Sequence, residues 1–194
     1  ALYAAVAAKD VAGLLAQLEE PAWNLRRAVV AALAAVGAAA VLPLCQSLQR
    51  DRKSETRIAS TVDALGASTG DVESVLVAWA DDADGAVSAD VAQILGRRRR
   101  ASAVPTLVKL AEHKDDNVAV AALEGLGKVG GRAAVDAIVK AVESDQFFRT
   151  FPAIDVLGRT GDPRAVAPLA KLLSSPQYAH EAARGLGRSA HRSA

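Results

Sequence analysis

The stretch VAVAALEGLGKVG, residues 118–130, decides the fold. Five of its small or apolar residues recur at the spacing i, i+3, i+4, i+7 and i+8, which places them on one stripe of a helix: Val118, Ala121, Ala122, Gly125 and Leu126. Small residues on such a stripe allow neighbouring helices to approach to about 8–10 Å between their axes. The segment therefore predicts an inner helix packed closely on similar helices, with Leu126 in the core.

The same pattern recurs along the chain, in segments that begin at Leu25, Arg57, Val87, Val118, Arg149 and Tyr178. The matching positions near the end of each segment are spaced 32, 30, 31, 31 and 29 residues apart: Ala34, Gly66, Gly96, Gly127, Gly158 and Gly187. A second apolar helical segment precedes each one, as in AVLPLCQSL, AVPTLVKLA and AVAPLAKLL. Each unit is therefore a predicted helical hairpin, and a fixed period of this length is typical of a solenoid.

The repeat also sets the predicted domain organisation. Residues 1–194 are expected to form a single repeat domain, and its six hairpins are expected at about 8–37, 38–68, 69–97, 98–130, 131–161 and 162–190. The opening segment, ALYAAVAAKD, has the composition of the end of a helix. We therefore expect the chain to be a piece of a longer protein.

Composition supports an all-helical chain. Hydrophobic residues make up 51% of the sequence and aromatic residues only 4%, with no Met, so Ala, Val, Leu and Ile must fill the core. The formal net charge of +1 gives no overall attraction to nucleic acid or anionic membranes. Cys45 cannot form an internal disulfide and is expected to be a small buried residue in a reducing compartment, the cytoplasm. No apolar run approaches the roughly 18 residues of a membrane span.

At VAVAALEGLGKVG and GDPRAVAPLAKLL the chain resembles the HEAT-like repeats of the phycobilin-lyase type, and the resemblance covers nearly the whole sequence. It implies a right-handed α-solenoid of about six hairpins, with first helices on the convex side and second helices on the concave side. Proteins of this kind include protein-interaction scaffolds, chromophore-lyase subunits, a di-iron hydroxylase and some DNA-repair glycosylases, and the resemblance implies one module of a larger bacterial-type protein. The resemblance therefore predicts the shape, and the functional site has to be argued separately.

Charged residues follow the predicted turns. Turns inside the hairpins are mainly acidic, as at Asp84 and Asp115, and turns between hairpins are mainly basic. Helix capping and the helix dipole account for this arrangement. The run Arg97, Arg98, Arg99 and Arg100 exceeds what one helix end needs and could hold phosphates or an acidic protein surface. Because basic residues do not recur along the inner helices, a solvated loop is the favoured interpretation of this basic edge, and nucleic acid is not the favoured partner.

His180 and Glu181 raise the question of a metal site. In the resembling deoxyhypusine hydroxylases, His-Glu pairs in several repeats together hold two irons, whereas only the last repeat of this chain has such a pair. His113 and His191 occupy other places in the pattern. We therefore predict no metal and no cofactor, with Glu181 paired to Arg184 and His180 at the surface.

The segment DQFFRTFPAIDVLG contains every phenylalanine of the chain, at Phe147, Phe148 and Phe151. One interpretation is structural: Phe148 fills the core position lost at Arg149, and Pro152 sets the start of the helix. The other is functional: Pro152 turns an aromatic and guanidinium cluster onto the concave surface, where such residues anchor protein interfaces. Under the second interpretation, the predicted binding patch comprises Phe147, Phe148, Arg149, Phe151, Asp155, His180 and Arg184.

The sequence contains no CxxC motif, glycine-rich phosphate loop or nucleophile elbow, and its glycines are interpreted as helix ends. The leading hypothesis is a scaffold without catalytic activity that binds another protein or a peptide on its concave face. The alternatives are a chromophore-lyase-like subunit and nucleic-acid binding through the basic edge. The sequence does not determine the partner's identity or the oligomeric state.

Overall fold

The computed structural model describes residues 2–50, 52–80 and 84–192, and these residues form helices and turns with no strand. The α-helices, numbered α1 to α13, are Leu2–Ala7, Val11–Leu15, Trp23–Val36, Ala38–Arg50, Glu55–Ala67, Glu73–Trp79, Gly85–Arg98, Val104–Ala111, Asp116–Val129, Arg132–Val142, Phe147–Thr160, Val166–Lys171 and Ala179–Arg192. Short 3-10 helices precede α8 and α12, and a third follows α12. The fold is all-α, as predicted.

The chain divides into two compact units, residues 1–82 and 83–194. In the first, α3 packs between α1 and α5, and α4 packs between α2 and α6. In the second, α7, α9, α11 and α13 pack in succession as one layer of inner helices, while α8, α10 and α12 form a second layer. Each unit thus stacks helical hairpins in two layers, which is the arrangement of an α-solenoid.

Glycines on the inner helices bring neighbouring helices close together. A Cβ built on Gly96 of α7 would lie 2.4 Å from the Cα of Gly125 in α9, and one on Gly158 of α11 would lie 2.6 Å from the Cα of Gly185 in α13. The interpretation of these repeated glycines as helix ends is therefore wrong, because they lie inside helices at backbone contacts. Glycine ends a helix elsewhere, as at Gly161, whose φ of 69° is left-handed.

Acidic turn residues cap the inner helices α7 and α9. Asp84 accepts a hydrogen bond from the amide of Ala86 at the start of α7, and Asp115 accepts one from the amide of Asn117 at the start of α9, both at 2.8 Å. The capping interpretation is confirmed at these two positions. Two further acidic residues of the α6–α7 turn, Asp81 and Asp82, lie outside the described residues.

The core consists of aliphatic side chains, as the composition predicted. Leu126 is fully buried, as expected for the inner stripe. Cys45 is also fully buried, and burial raises the pKa of its thiol to about 12. Within the described residues, no helix has the length and apolar character needed to cross a membrane.

Candidate binding surface

The three phenylalanines lie at the start of α11, immediately after the turn that joins it to α10. Phe147 is 46% exposed, Phe148 is 70% exposed and Phe151 is 40% exposed. Large apolar side chains of this kind usually pack in the core. We refer to Phe147, Phe148 and Phe151 as the phenylalanine cluster.

The cluster is a connected group of rings. Phe147 contacts Phe148 edge to face, with ring centroids 5.6 Å apart, and lies 5.7 Å from Phe151. On its other side Phe147 stacks at 6.4 Å on Tyr178, which is buried in the turn before α13. These separations lie in the range in which aromatic pairs attract each other. Tyr178 therefore links the cluster to the last hairpin.

The structural interpretation of this segment is wrong in two respects. Phe148 does not fill the core, because it is the most exposed of the three rings. Pro152 does not start the helix, since α11 begins at Phe147 and Pro152 lies in its second turn. Whether the cluster is core or surface, which the sequence left open, is decided by the structure: it is surface.

Arg149 turns away from the cluster toward the preceding hairpin. Its Nε donates to a carboxylate oxygen of Asp116 at 2.7 Å, and a terminal guanidinium nitrogen donates to the carbonyl of His113 at 2.8 Å. The side chain is only 16% exposed. Arg149 therefore joins the start of α11 to the start of α9, and its guanidinium is already engaged within the chain.

The other charged residues of the predicted patch are also paired. Asp155 accepts from Arg159 at 3.0 Å and from Arg188, and Arg159 also donates to Glu124 at 2.7 Å. This series of ion pairs crosses α9, α11 and α13, so it ties three successive inner helices together. All of these side chains retain partial exposure, so each pair contributes at most about 1 kcal/mol.

His180 and Glu181 behave as surface residues of α13. Glu181 accepts two hydrogen bonds from Arg184, at 2.9 and 3.1 Å, as predicted, and His180 is exposed. His113 accepts a hydrogen bond from the amide of Asp115, whereas the side chain of His191 lies outside the described residues. Within the described part of the chain, no three His, Cys, Asp or Glu side chains are grouped to hold a metal ion.

The basic edge lies at the end of α7. Arg97 and Arg98 form its last turn, Arg99 adopts the left-handed conformation with a φ of 53°, and Arg100 leads into the 3-10 helix before α8. Arg97, Arg99 and Arg100 are exposed. Basic residues at a helix C-terminus offset the helix dipole, which accounts for Arg97 and Arg98.

Two hollows flank the α10–α11 turn. One, of about 530 Å³, lies between α8 and α10, with Ala111, Ala137 and Ala141 in its lining and Arg149 at its boundary. The other, of about 220 Å³, lies between the turn and α12 and is lined in part by Glu143, Asp145 and Tyr178. Arg149 thus connects the start of α11 to the larger hollow, and Tyr178, which stacks on Phe147, lines the smaller one.

Sequence reasoning missed Tyr178 as a member of this surface. Counted back from Gly187, Tyr178 falls in the register of Arg149, because the last hairpin turn is two residues shorter than the one before it. Counted from the outer helices, where Lys140 and Lys171 are 31 residues apart, Tyr178 falls in the register of Phe147. The second alignment could have placed the two stacked rings together.

Similarity to known proteins agrees with this architecture. Residues 73–150 match the family described as HEAT repeats, and residues 153–175 match the PBS lyase HEAT-like repeat. No curated protein sequence matches the chain.

Among solved structures, an engineered protein is 22% identical with a TM-score of 0.50, and the alignment covers 97% of this chain and 60% of that one. This chain therefore spans less than two thirds of that protein. A second engineered protein is 21% identical over 98% of this chain and 83% of its own, with a TM-score of 0.48. Human deoxyhypusine hydroxylase, in complex with glycerol, is 13% identical over 98% and 99% of the two chains, with a TM-score of 0.42.

The repeated hairpins, the two helical layers and the matches over residues 73–175 agree on one assignment. The protein is an α-solenoid and belongs to the HEAT-like repeat family.

Proposed function

We propose that this protein is a scaffold without catalytic activity that binds another protein or a peptide through the phenylalanine cluster, on the concave face of the solenoid. One observation carries the proposal: three phenylalanines, joined by the ring contacts of Phe147 with Phe148 and Phe151, are 40–70% exposed at the start of one helix. Contiguous exposed apolar surface is typical of protein-binding sites, and aromatic residues are enriched among those that contribute most to affinity.

The local structure of α11 supports this proposal. Gln146, the residue before the helix, makes no side-chain cap, and Pro152 removes one backbone donor from the second turn. Covering a phenylalanine ring completely gives about 1.5–3 kcal/mol. The chain gains only part of this free energy from each ring, so a partner that covers the cluster gains the remainder.

Two features support a role without chemistry. HEAT-like repeats commonly mediate protein interactions, and Cys45, the single thiol, is buried with a pKa far above neutral. Asp155 and Arg184, the charged residues that the sequence placed in the binding patch beside Arg149, are paired with Arg159 and Glu181. A cytoplasmic location remains a prediction, consistent with the single reduced thiol.

The test is affinity capture from native lysate, in which the partners of the wild-type chain are compared with those of a Phe148→Ala, Phe151→Ala variant. Phe147 is left intact because it stacks on Tyr178. The matched control is Leu42→Ala, which removes a half-exposed apolar side chain from α4. We expect at least one partner to be lost only by the double variant, after circular dichroism has shown equal helicity for all three proteins. Partners retained by the double variant would contradict the proposal.

If the double variant retains the partners, the basic edge, Arg97 to Arg100, becomes the candidate binding site. Binding at this edge is a separate prediction. Nucleic-acid binding there requires that affinity fall steeply with salt and disappear when the four arginines are neutralised. A chromophore-lyase-like activity requires covalent transfer or a spectral shift when a bilin is added. We expect neither behaviour.

A further inference from the structure

The smaller hollow beside the phenylalanine cluster has a composition suited to a cationic side chain. It measures about 220 Å³ and lies between the α10–α11 turn and the end of α12. Val142, Pro168 and Leu172 contribute apolar surface, and Glu143 and Asp145 contribute carboxylates. A long basic side chain needs this combination, because its alkyl stem packs on apolar surface while its charged end seeks an acceptor.

The two carboxylates are available to a ligand. No ion pair or hydrogen bond within the described residues engages the side chain of Glu143 or Asp145, and both residues are exposed. The hollow also contains Lys171, which is likewise unpaired among the described residues. The side chains around the hollow therefore have a formal charge of −1.

The preceding hairpin shows that this arrangement is a departure from the repeat. There Lys140 donates to Glu112 at 2.6 Å, and this hydrogen bond lowers the pKa of the Glu112 carboxyl. Lys171 and Glu143 each lie 31 residues further along, yet no such pair joins them in the described structure. In the larger hollow Lys140 and Glu112 thus compensate each other's charge, whereas among the described residues no ion pair joins the charged side chains of the smaller hollow.

Tyr178 provides an independent indication of a ligand. It lines the hollow and is 2% exposed, and its hydroxyl has no hydrogen-bond partner among the residues that the structure describes. A buried hydroxyl without a partner is costly, and an arginine or lysine N–H that reached it from the hollow would satisfy it. The ring of Tyr178 also stacks on Phe147, so Tyr178 connects the hollow to the phenylalanine cluster.

We propose that the partner is a peptide segment with an arginine or lysine next to apolar residues, and that this basic side chain enters the hollow while the apolar residues cover the phenylalanine cluster. The carboxylates of Glu143 and Asp145 accept its N–H groups. This inference rests on the proposed function, because it specifies the chemistry of the partner for the same surface.

The probe is a random dodecapeptide library displayed on phage, selected on the wild-type chain and counter-selected on the Phe148→Ala, Phe151→Ala variant. Selected peptides are synthesised and their affinities are measured by fluorescence polarisation. We expect an arginine or lysine at one fixed position, and affinity that falls as salt is added. Replacing that basic residue with norleucine should weaken binding by about tenfold or more, because hydrogen bonds to charged groups are stronger than those between neutral groups.

Two variants of the protein test the charges of the hollow, and a third is a matched control. Glu143→Gln with Asp145→Asn removes both charges and should weaken binding by about tenfold. Asn tolerates the left-handed conformation of Asp145, whose φ is 55°, so the turn is retained. Lys171→Gln removes the opposing charge and should strengthen binding about twofold, in line with a partly screened surface charge. Glu55→Gln, an exposed carboxylate in the other compact unit, should leave affinity unchanged.

The possible outcomes separate this inference from the proposed function. Peptides that require the phenylalanine cluster but contain no basic residue, or that bind the Glu143→Gln, Asp145→Asn variant as tightly as wild type, would overturn the inference and leave the proposed function intact. If no selected peptide requires Phe148 and Phe151, both are wrong. Peptides that require the cluster, the basic residue and the two carboxylates support both.

Discussion

The helices α9 and α11 occupy the same place in successive hairpins and are both 14 residues long, but they begin differently. In α9 the residue before the helix, Asp115, caps it, and the buried Val118 follows in the first turn. In α11 the corresponding positions hold Gln146, which makes no cap, and Arg149, which reaches back to Asp116. Both helices end at a glycine with positive φ and pack in the same layer, and the difference at their starts supports a binding role for the start of α11.

The largest effect on the free energy of unfolding is expected at the buried leucine position that α9 and α11 share. Leu126 of α9 and Leu157 of α11 are both fully buried at matching positions. We expect Leu126→Ala and Leu157→Ala each to lower the free energy of unfolding by about 2–5 kcal/mol, because each leaves a cavity between stacked helices. Urea unfolding followed by circular dichroism measures this. A loss below about 1 kcal/mol at either position would break the equivalence of the two helices.

Glycine substitutions test the close approach of the inner helices. Gly96→Ala and Gly158→Ala should each destabilise by about 1–3 kcal/mol, because the new methyl group meets the backbone of the next helix. Gly187→Ala is the matched control: it lies in α13 with nothing within 4 Å of the added Cβ. It should stabilise by up to about 1 kcal/mol through helix propensity. Equal effects at all three positions would show that the helices can separate freely.

Substitutions at the residues that precede α9 and α11 test whether the two helix starts differ in stability. Asp115→Ala should cost about 1 kcal/mol, because α9 loses its side-chain acceptor. Gln146→Ala should change stability by less than about 0.5 kcal/mol, because Gln146 caps nothing. Differential scanning calorimetry of the two variants side by side gives both values. A cost at Gln146 equal to that at Asp115 would mean that α11 is capped after all.

The smallest effects on stability are expected at the exposed residues. Phe148→Ala and His180→Ala should each change the free energy of unfolding by less than about 0.5 kcal/mol, because both side chains are exposed. Chemical unfolding of each variant against wild type tests this. A loss of more than about 1 kcal/mol in the free energy of unfolding for Phe148→Ala would indicate that this ring is part of the core. A loss of that size for His180→Ala would indicate a structural or metal-binding role for His180.

Much of the fold follows from local spacing. The predicted stripe on α9 contained four residues that are buried, and its recurrence predicted the stacked hairpins. Its fifth member, Ala121, is only half-buried, and the stripe omitted Ala119 and Leu123, which are fully buried. The Glu181 and Arg184 pair was also predictable, since residues three apart on a helix are neighbours. The role of the repeated glycines was misread, because a glycine near a helix end and one at a helix–helix contact look the same in sequence.

The candidate surface was only partly predictable. The concentration of every phenylalanine in one segment pointed to the correct region, but spacing alone left Phe148 divided between core and surface. Arg149 contacts Asp116, 33 residues earlier, and is largely buried, whereas its neighbour Phe148 is exposed. The ion pair between Arg188 and Asp155 spans the same separation, and no local pattern predicts it.

The sequence by itself determined the helices, the repeat and the aliphatic core, because these depend on residues within one or two helical turns of each other. Only the tertiary structure decided that Phe147 meets Tyr178, that Arg149 leaves the cluster and that Glu143 stays unpaired among the described residues. These contacts depend on the offset and rotation of one hairpin against the next. Side chains from several turns and helices set that geometry jointly, so it has no signature in the spacing of a single segment.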